Sequence, residues 1–106
     1  MSELEDTLAF QLTAAGVPFE RQFKAIPGRR FRWDFRVGQY LIEVQGGIWR
    51  KGGHTTGTGI TRDCNKANLA ALAGWRTLFI TAGMIDSGEA LRVIQEANGR
   101  DTHADR

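Results

Sequence analysis

Apolar positions along the chain follow two periods. Leu4, Leu8, Leu12 and Ala15 recur at helical spacing. They follow Ser2-Glu3-Leu4-Glu5, a capping-box pattern with Ser2 as N-cap and Glu5 at N3. Gly16 is a natural helix stop, with Pro18 just beyond. Phe19 to Phe23 alternates loosely and predicts a first strand, and Pro27-Gly28 marks a turn. Two extended runs come next. In the first, Phe31, Trp33 and Phe35 share one face, while Arg32, Asp34 and Arg36 share the other. Gly38 sits between the runs. In the second, Tyr40, Ile42 and Val44 oppose Leu41, Glu43 and Gln45. The pattern predicts a hairpin with one greasy face and one face of acids, bases and an amide.

Gly46 to Gly59 is rich in glycine and threonine and reads as a long loop. A helix is predicted from Ile60 or Thr61 to about Ala73, with Gly74 as its stop. Ala67, Ala70, Ala71 and Ala73 suit it to close packing on a sheet. Trp75 to Thr81 reads as a buried strand. Asp86-Ser87-Gly88-Glu89 is a second capping-box pattern, ahead of a last helix whose apolar side is Leu91, Val93, Ile94 and Ala97. Asn98-Gly99 is expected to end that helix. The order is α-β-β-β-α-β-α, with the strands flanking the middle helix able to pair in parallel. The expected organisation is a single domain over residues 1–99 and a flexible polar tail over 100–106.

Composition narrows the class. The chain has 106 residues, 42% hydrophobic and 25% charged, as in a globular domain with a single core. No run is apolar enough to span a bilayer, and the first residues are acidic, unlike a signal peptide. A cytoplasmic location without membrane partners is the expectation. The lone Cys64 excludes an internal disulfide and a multi-cysteine zinc site. Among core-like alanines, it reads as a small buried residue. Net charge is only +2, but Arg21, Lys24, Arg29, Arg30, Arg32 and Arg36 cluster ahead of the second extended run, and Arg50 and Lys51 follow it. Such a patch can neutralise phosphates or form a solvated face.

The chemistry centres on Asp34 and Glu43. A hairpin brings these carboxylates side by side, where they repel unless a cation lies between them. Hard oxygen donors of this kind suit Mg²⁺ or Mn²⁺, with the backbone carbonyl of Val44 or Gln45 as a further ligand. The surrounding basic, aromatic and glycine residues point to a polyphosphate substrate. The plainer alternative is an ion pair of Asp34 with Arg32 or Arg36.

The element order, with Asp34 and Glu43-Val44-Gln45 on neighbouring strands, resembles the PD-(D/E)XK nuclease superfamily. That resemblance implies an α/β fold: a restriction-endonuclease-like αβββαβ core with a mixed central sheet, here followed by a C-terminal helix. Two positions depart from the superfamily motif. Trp33 stands where a proline usually precedes the aspartate, and Gln45 replaces the lysine. The chain is closer to small Vsr-like/DUF559-type endonucleases and related phage and homing enzymes. Glu5, Asp34-Phe35, Glu43-Val44-Gln45-Gly46, His54, Asp63 and Gly74-Trp75-Arg76 match their pattern.

The resemblance implies a Mg²⁺- or Mn²⁺-dependent DNA endonuclease. Asp34, Glu43 and the Val44 carbonyl would hold metal, and Glu5, Asp63 and Arg62 are additional candidates. Gln45, His54 and Lys66 would position water or stabilise charge. Gln45 carries no charge and is equally explained as a structural amide. His54 could take a proton from water or stand idle in its loop. Lys66, one turn from Arg62 on the middle helix, is placed to replace the missing lysine. Glu5 is explained equally by its cap, and Asp63 could buttress His54. Arg29, Arg30, Arg32, Arg50, Lys51 and Trp49 are the expected nucleic-acid contacts. A homodimer would serve double-strand cleavage. The rival readings are a catalytically weak nucleic-acid-binding module and an interaction domain whose acids form ordinary salt bridges.

Overall fold

The structure, a computed structural model, describes residues 2–45 and 57–104, with side chains described for 2–45 and 58–100. The expectations for Trp49, Arg50, Lys51 and His54 lie outside the described residues. The elements are α1 (Glu3–Ala14), β1 (Glu20–Phe23), β2 (Trp33–Val37), β3 (Tyr40–Gln45), α2 (Gly57–Leu72), β4 (Arg76–Thr81), α3 (Ala82–Ser87) and α4 (Glu89–Ala104). The four strands form one mixed sheet in the order β1-β2-β3-β4. β1–β2 and β2–β3 are antiparallel, and β3–β4 is parallel.

Local signals set most element ends. The Ser2 hydroxyl accepts from the Glu5 N–H at 3.1 Å, satisfying one orphan donor of α1. Glu3, Glu5 and Asp6 complement the positive end of the helix dipole. Gly16 and Gly74 take left-handed φ values of +75° and +92° just past α1 and α2, which favour glycine.

Two hydrophobic clusters lie on the two faces of the sheet. One joins Leu8, Leu12, Phe35, Val37, Ile42, Ile80, Ile85 and Ile94, under α1, α3 and α4. The other holds Trp33, Leu41 and Ala70, under α2, with Phe23, Phe31 and Trp75 half-buried against it. Ile42 and Leu41 belong to opposite clusters, as strand alternation requires.

Several sequence expectations are corrected. Trp33 and Phe35 do not share a face: Trp33 packs under α2 with Leu41, and Phe35 packs on the other side with Ile42. The alternation breaks where β1 breaks it. Arg21 pairs with Phe35 and Phe23 with Trp33, which sets Gln22 opposite Asp34. Gln22 has φ +50°, a left-handed backbone rare outside glycine. Arg21 accordingly stacks on Phe35, while Phe23 turns to Arg36 and Trp75.

On α2, only Ala70 of the alanine set is fully buried; Ala67, Ala71 and Ala73 are exposed. Cys64 is also exposed, because the first two turns of α2 stand clear of the sheet. α2 starts at Gly57, inside the expected loop, since glycine weakens a helix by about 1 kcal/mol without forbidding it. The short helix α3, capped by the Thr81 hydroxyl, was not expected, and Gly88 at φ +87° separates it from α4. α4 runs past Asn98-Gly99 to Ala104. Gly99 does not adopt a left-handed φ, and Arg100 ion-pairs with Glu96 one turn back at 2.9 Å.

Candidate active site

The β2–β3 register runs from Val37 opposite Tyr40 to Phe35 opposite Ile42. The ladder ends at that pair, and Asp34 lies just beyond it, next to Glu43. There the Asp34 carboxylate accepts the Val44 N–H at 2.7 Å. A side chain thus bonds a β3 donor and orients Asp34 between the strands. Asp34 does not ion-pair with Arg32 or Arg36. Arg36 instead binds Glu20 at 2.8 Å and the Gly38 carbonyl at 2.8 Å.

Glu43 ion-pairs with the Lys66 ammonium from α2, each side chain about 20% exposed. The ammonium lies 4.8 Å from the Trp33 ring centroid, a cation–π contact that fixes it over the open face. Burial pushes the Glu43 carboxyl above its ordinary value. The Lys66 hydrogen bond and charge pull it back, while the Asp34 charge adds to the rise.

Glu5 approaches the same centre from α1. Partial burial raises its pKa first, then the charge and hydrogen bond of Asp34, with Arg21 opposing. Gln22 donates to Glu5 at 3.3 Å, and Arg21 lies 3.8 Å from Glu5 and 3.0 Å from Asp6. Gln22 was not singled out by sequence reasoning; a non-glycine residue with positive φ leaves no sequence signal. Its strain, of order 1–3 kcal/mol, lies beside the carboxylates.

Trp33, Glu43, Val44, Gln45, Lys66 and Phe79 line a cavity of about 560 Å³, with Asp63 and Cys64 on its α2 wall. Gln45 and Asp63 are thus brought to the Glu43–Lys66 pair. Arg62 is not: it lines a separate groove with Arg29 and Arg30. Phe79 was missed. It pairs with Glu43 in the β3–β4 register and is 58% exposed. Its signal was an aromatic in the polar phase of β4, between Thr77 and Thr81, while Leu78 and Ile80 point to the core.

Among the described residues, no three His, Cys, Asp or Glu side chains form a metal-holding group. Mg²⁺ does not require one: it binds through one or two carboxylates, waters and substrate phosphates. The donor set fits on that ground. Asp34 and Glu43 supply hard oxygens, and Asp34 raises the pKa of both neighbouring carboxyls, a repulsion that a cation relieves. Among the described residues, no helix is long and apolar enough to cross a membrane.

No protein-family model matches the chain, and no curated protein does. Among solved structures, the catalytic domain of homing endonuclease I-Bth0305I is similar at a TM-score of 0.64 and 16% identity, covering 92% of this chain and 91% of that one. At that identity the likeness is one of fold: the mixed α/β architecture of this chain is that of a homing endonuclease catalytic domain.

Proposed function

We propose that the chain is a metal-dependent DNA endonuclease of the PD-(D/E)XK type. The observation that carries this reading is the Asp34 carboxylate held by the Val44 N–H beside Glu43, with Arg36 turned to Glu20 and Lys66 held at Glu43 from a different element. The similar homing endonuclease fold supports it. Asp34, Glu43 and the Val44 carbonyl would hold Mg²⁺ or Mn²⁺. When bound, that ion supplies Lewis acidity at the scissile phosphate and lowers the pKa of a water.

The chain's own residues do the rest. Asp34 is oriented by the Val44 N–H. Lys66 supplies the positive charge that the family motif puts at the Gln45 position. Gln45, at the cavity rim, orients water or a phosphate oxygen. Asp63 sits on the same wall and can buttress a histidine from the segment ahead of α2, the role assigned to His54. Glu5 reaches Asp34 from α1 and adds negative charge beside it. Phe79 offers an exposed ring beside Glu43 on which a base can stack. One chain carries one such site, so double-strand cleavage calls for a homodimer.

The test is nicking of supercoiled plasmid under Mg²⁺ titration. Activity should appear with Mg²⁺ and vanish in excess chelator. Lys66→Ala should lower turnover more than DNA affinity, because its charge acts chiefly as the phosphorane develops. Cleavage that persists in chelator overturns the reading. DNA binding without any cleavage would favour the alternative, a catalytically weak binding module, in which the Glu43–Lys66 pair is only a salt bridge.

A further inference from the structure

A second groove lies on the other flank of α2. It is open, about 830 Å³ in volume, and walled by the β1–β2 connection on one side and α2 on the other. The connection contributes Arg29, Arg30 and Phe31, and α2 contributes Thr58, Thr61, Arg62 and Asn65. Those four α2 residues fall at i, i+3, i+4 and i+7, so they form a single stripe. Lys66 and Ala67 fall on the neighbouring stripe and line the carboxylate cavity. The first half of α2 is therefore a ridge between two sites.

The chemistry of this groove is one-signed. Three arginines line it, and among the described residues no carboxylate does. Among the described residues, neither Arg30 nor Arg62 has an ion-pair partner, unlike Arg21 with Asp6 and Arg36 with Glu20. Arg29 is steadied over the Phe31 ring at 4.9 Å. Thr58, Thr61 and Asn65 add hydroxyl and amide donors beside the guanidiniums. Cations with neutral donors and an open path suit a phosphodiester, which guanidinium binds in bidentate fashion. An open groove, not an enclosed pocket, fits a phosphate carried on a continuous backbone.

We infer that this groove holds a backbone phosphate of the bound DNA other than the scissile one, so that the substrate lies across the α2 ridge. This rests on the nuclease reading above. The groove sets where the strand lies, and the carboxylate cavity sets where it is cut.

The test uses Asp34→Asn protein, so that binding is read without cleavage. A short duplex is scanned with single methylphosphonates, which remove one phosphate charge at a time. One position away from the cut should weaken binding to the Asp34→Asn protein. Adding Arg62→Ala or Arg30→Ala should erase the sensitivity at that position and reduce the slope of log K against log salt by about 0.9 for each phosphate no longer neutralised. Arg62→Lys should keep the slope, because the charge remains. An unchanged slope in both alanine variants, or a sensitive position that stays sensitive in them, overturns the groove while leaving the nuclease reading intact. Arginine-dependent binding by a wild-type protein that never cleaves overturns the catalytic reading and leaves the groove. No binding to any duplex by either wild-type or Asp34→Asn protein overturns both.

Discussion

The two faces of the sheet are built on different terms. Under α1, α3 and α4, Leu8, Leu12, Phe35, Val37, Ile42, Ile80, Ile85 and Ile94 are fully buried. Under α2, the fully covered set is Trp33, Leu41 and Ala70. The first two turns of α2 are almost wholly exposed, and Phe79 stands uncovered beside Glu43. Among the described residues, three helices close one face, and one helix, resting by its second half, covers only part of the other. The closed face supplies the apolar burial that stabilises a small domain. The open face keeps carboxylates, a lysine and arginines accessible, which costs burial but leaves room for a substrate.

The largest effect that would break this comparison is on the open face. Asp34→Asn and Glu43→Gln should each lower Mg²⁺-dependent cleavage by about a thousand-fold or more, since metal-held charge stabilisation is worth several kcal/mol. Both variants should unfold in denaturant within about 1 kcal/mol of wild type, because neither residue is part of a buried core. A variant that loses activity only by unfolding would place these carboxylates among the structural residues.

The closed face should show the opposite pattern. Phe35→Ala removes a fully buried ring and should cost about 3–5 kcal/mol in urea unfolding. Phe79→Ala, an aromatic truncation on the open face, should stay within about 0.5 kcal/mol. Equal costs would erase the distinction. For DNA binding the order reverses: Phe79→Ala should weaken affinity by about 1–3 kcal/mol if a base stacks on it. A fluorescence anisotropy titration on single-stranded and duplex oligonucleotides measures this, and unchanged affinity on both would remove Phe79 from the site.

The smallest effect concerns pH. Glu43 titrates above its ordinary 4.5 in the folded chain, mainly through burial. The folded state therefore binds this proton more tightly than the unfolded state does. The stability it contributes is present below 4.5 and is lost as pH rises through the raised value. Glu5 acts with the same sign. Without divalent metal, Glu43→Gln should gain stability relative to wild type as pH rises across that window, in paired urea titrations. Added Mg²⁺ should then raise the stability of wild type at neutral pH and not that of Glu43→Gln. A pH-independent difference between the two proteins would mean that Glu43 is not destabilised by its surroundings.

The fold was largely legible in the sequence. Ser2 with Glu5, Gly16 and Gly74 are local signals, and caps act within one helical turn. The paired runs around Gly38 set Phe35 opposite Ile42 and so bring Asp34 next to Glu43, because a short hairpin leaves little freedom of register. These features depend on neighbours in the chain and are readable without the fold. Tertiary structure decided the rest. Lys66 reaches Glu43, and Glu5 reaches Asp34, only because α2 and α1 are laid against the sheet from opposite sides. Arg62 parts from Lys66 because the two stripes of α2 face different walls, which helical spacing does not reveal without the neighbours. Trp33 crosses to the α2 face at the break in strand alternation that Gln22 marks opposite Asp34. Helix caps and turns are settled by steric and hydrogen-bonding rules within a few residues, whereas the face a side chain occupies is settled by what packs against it from far along the chain.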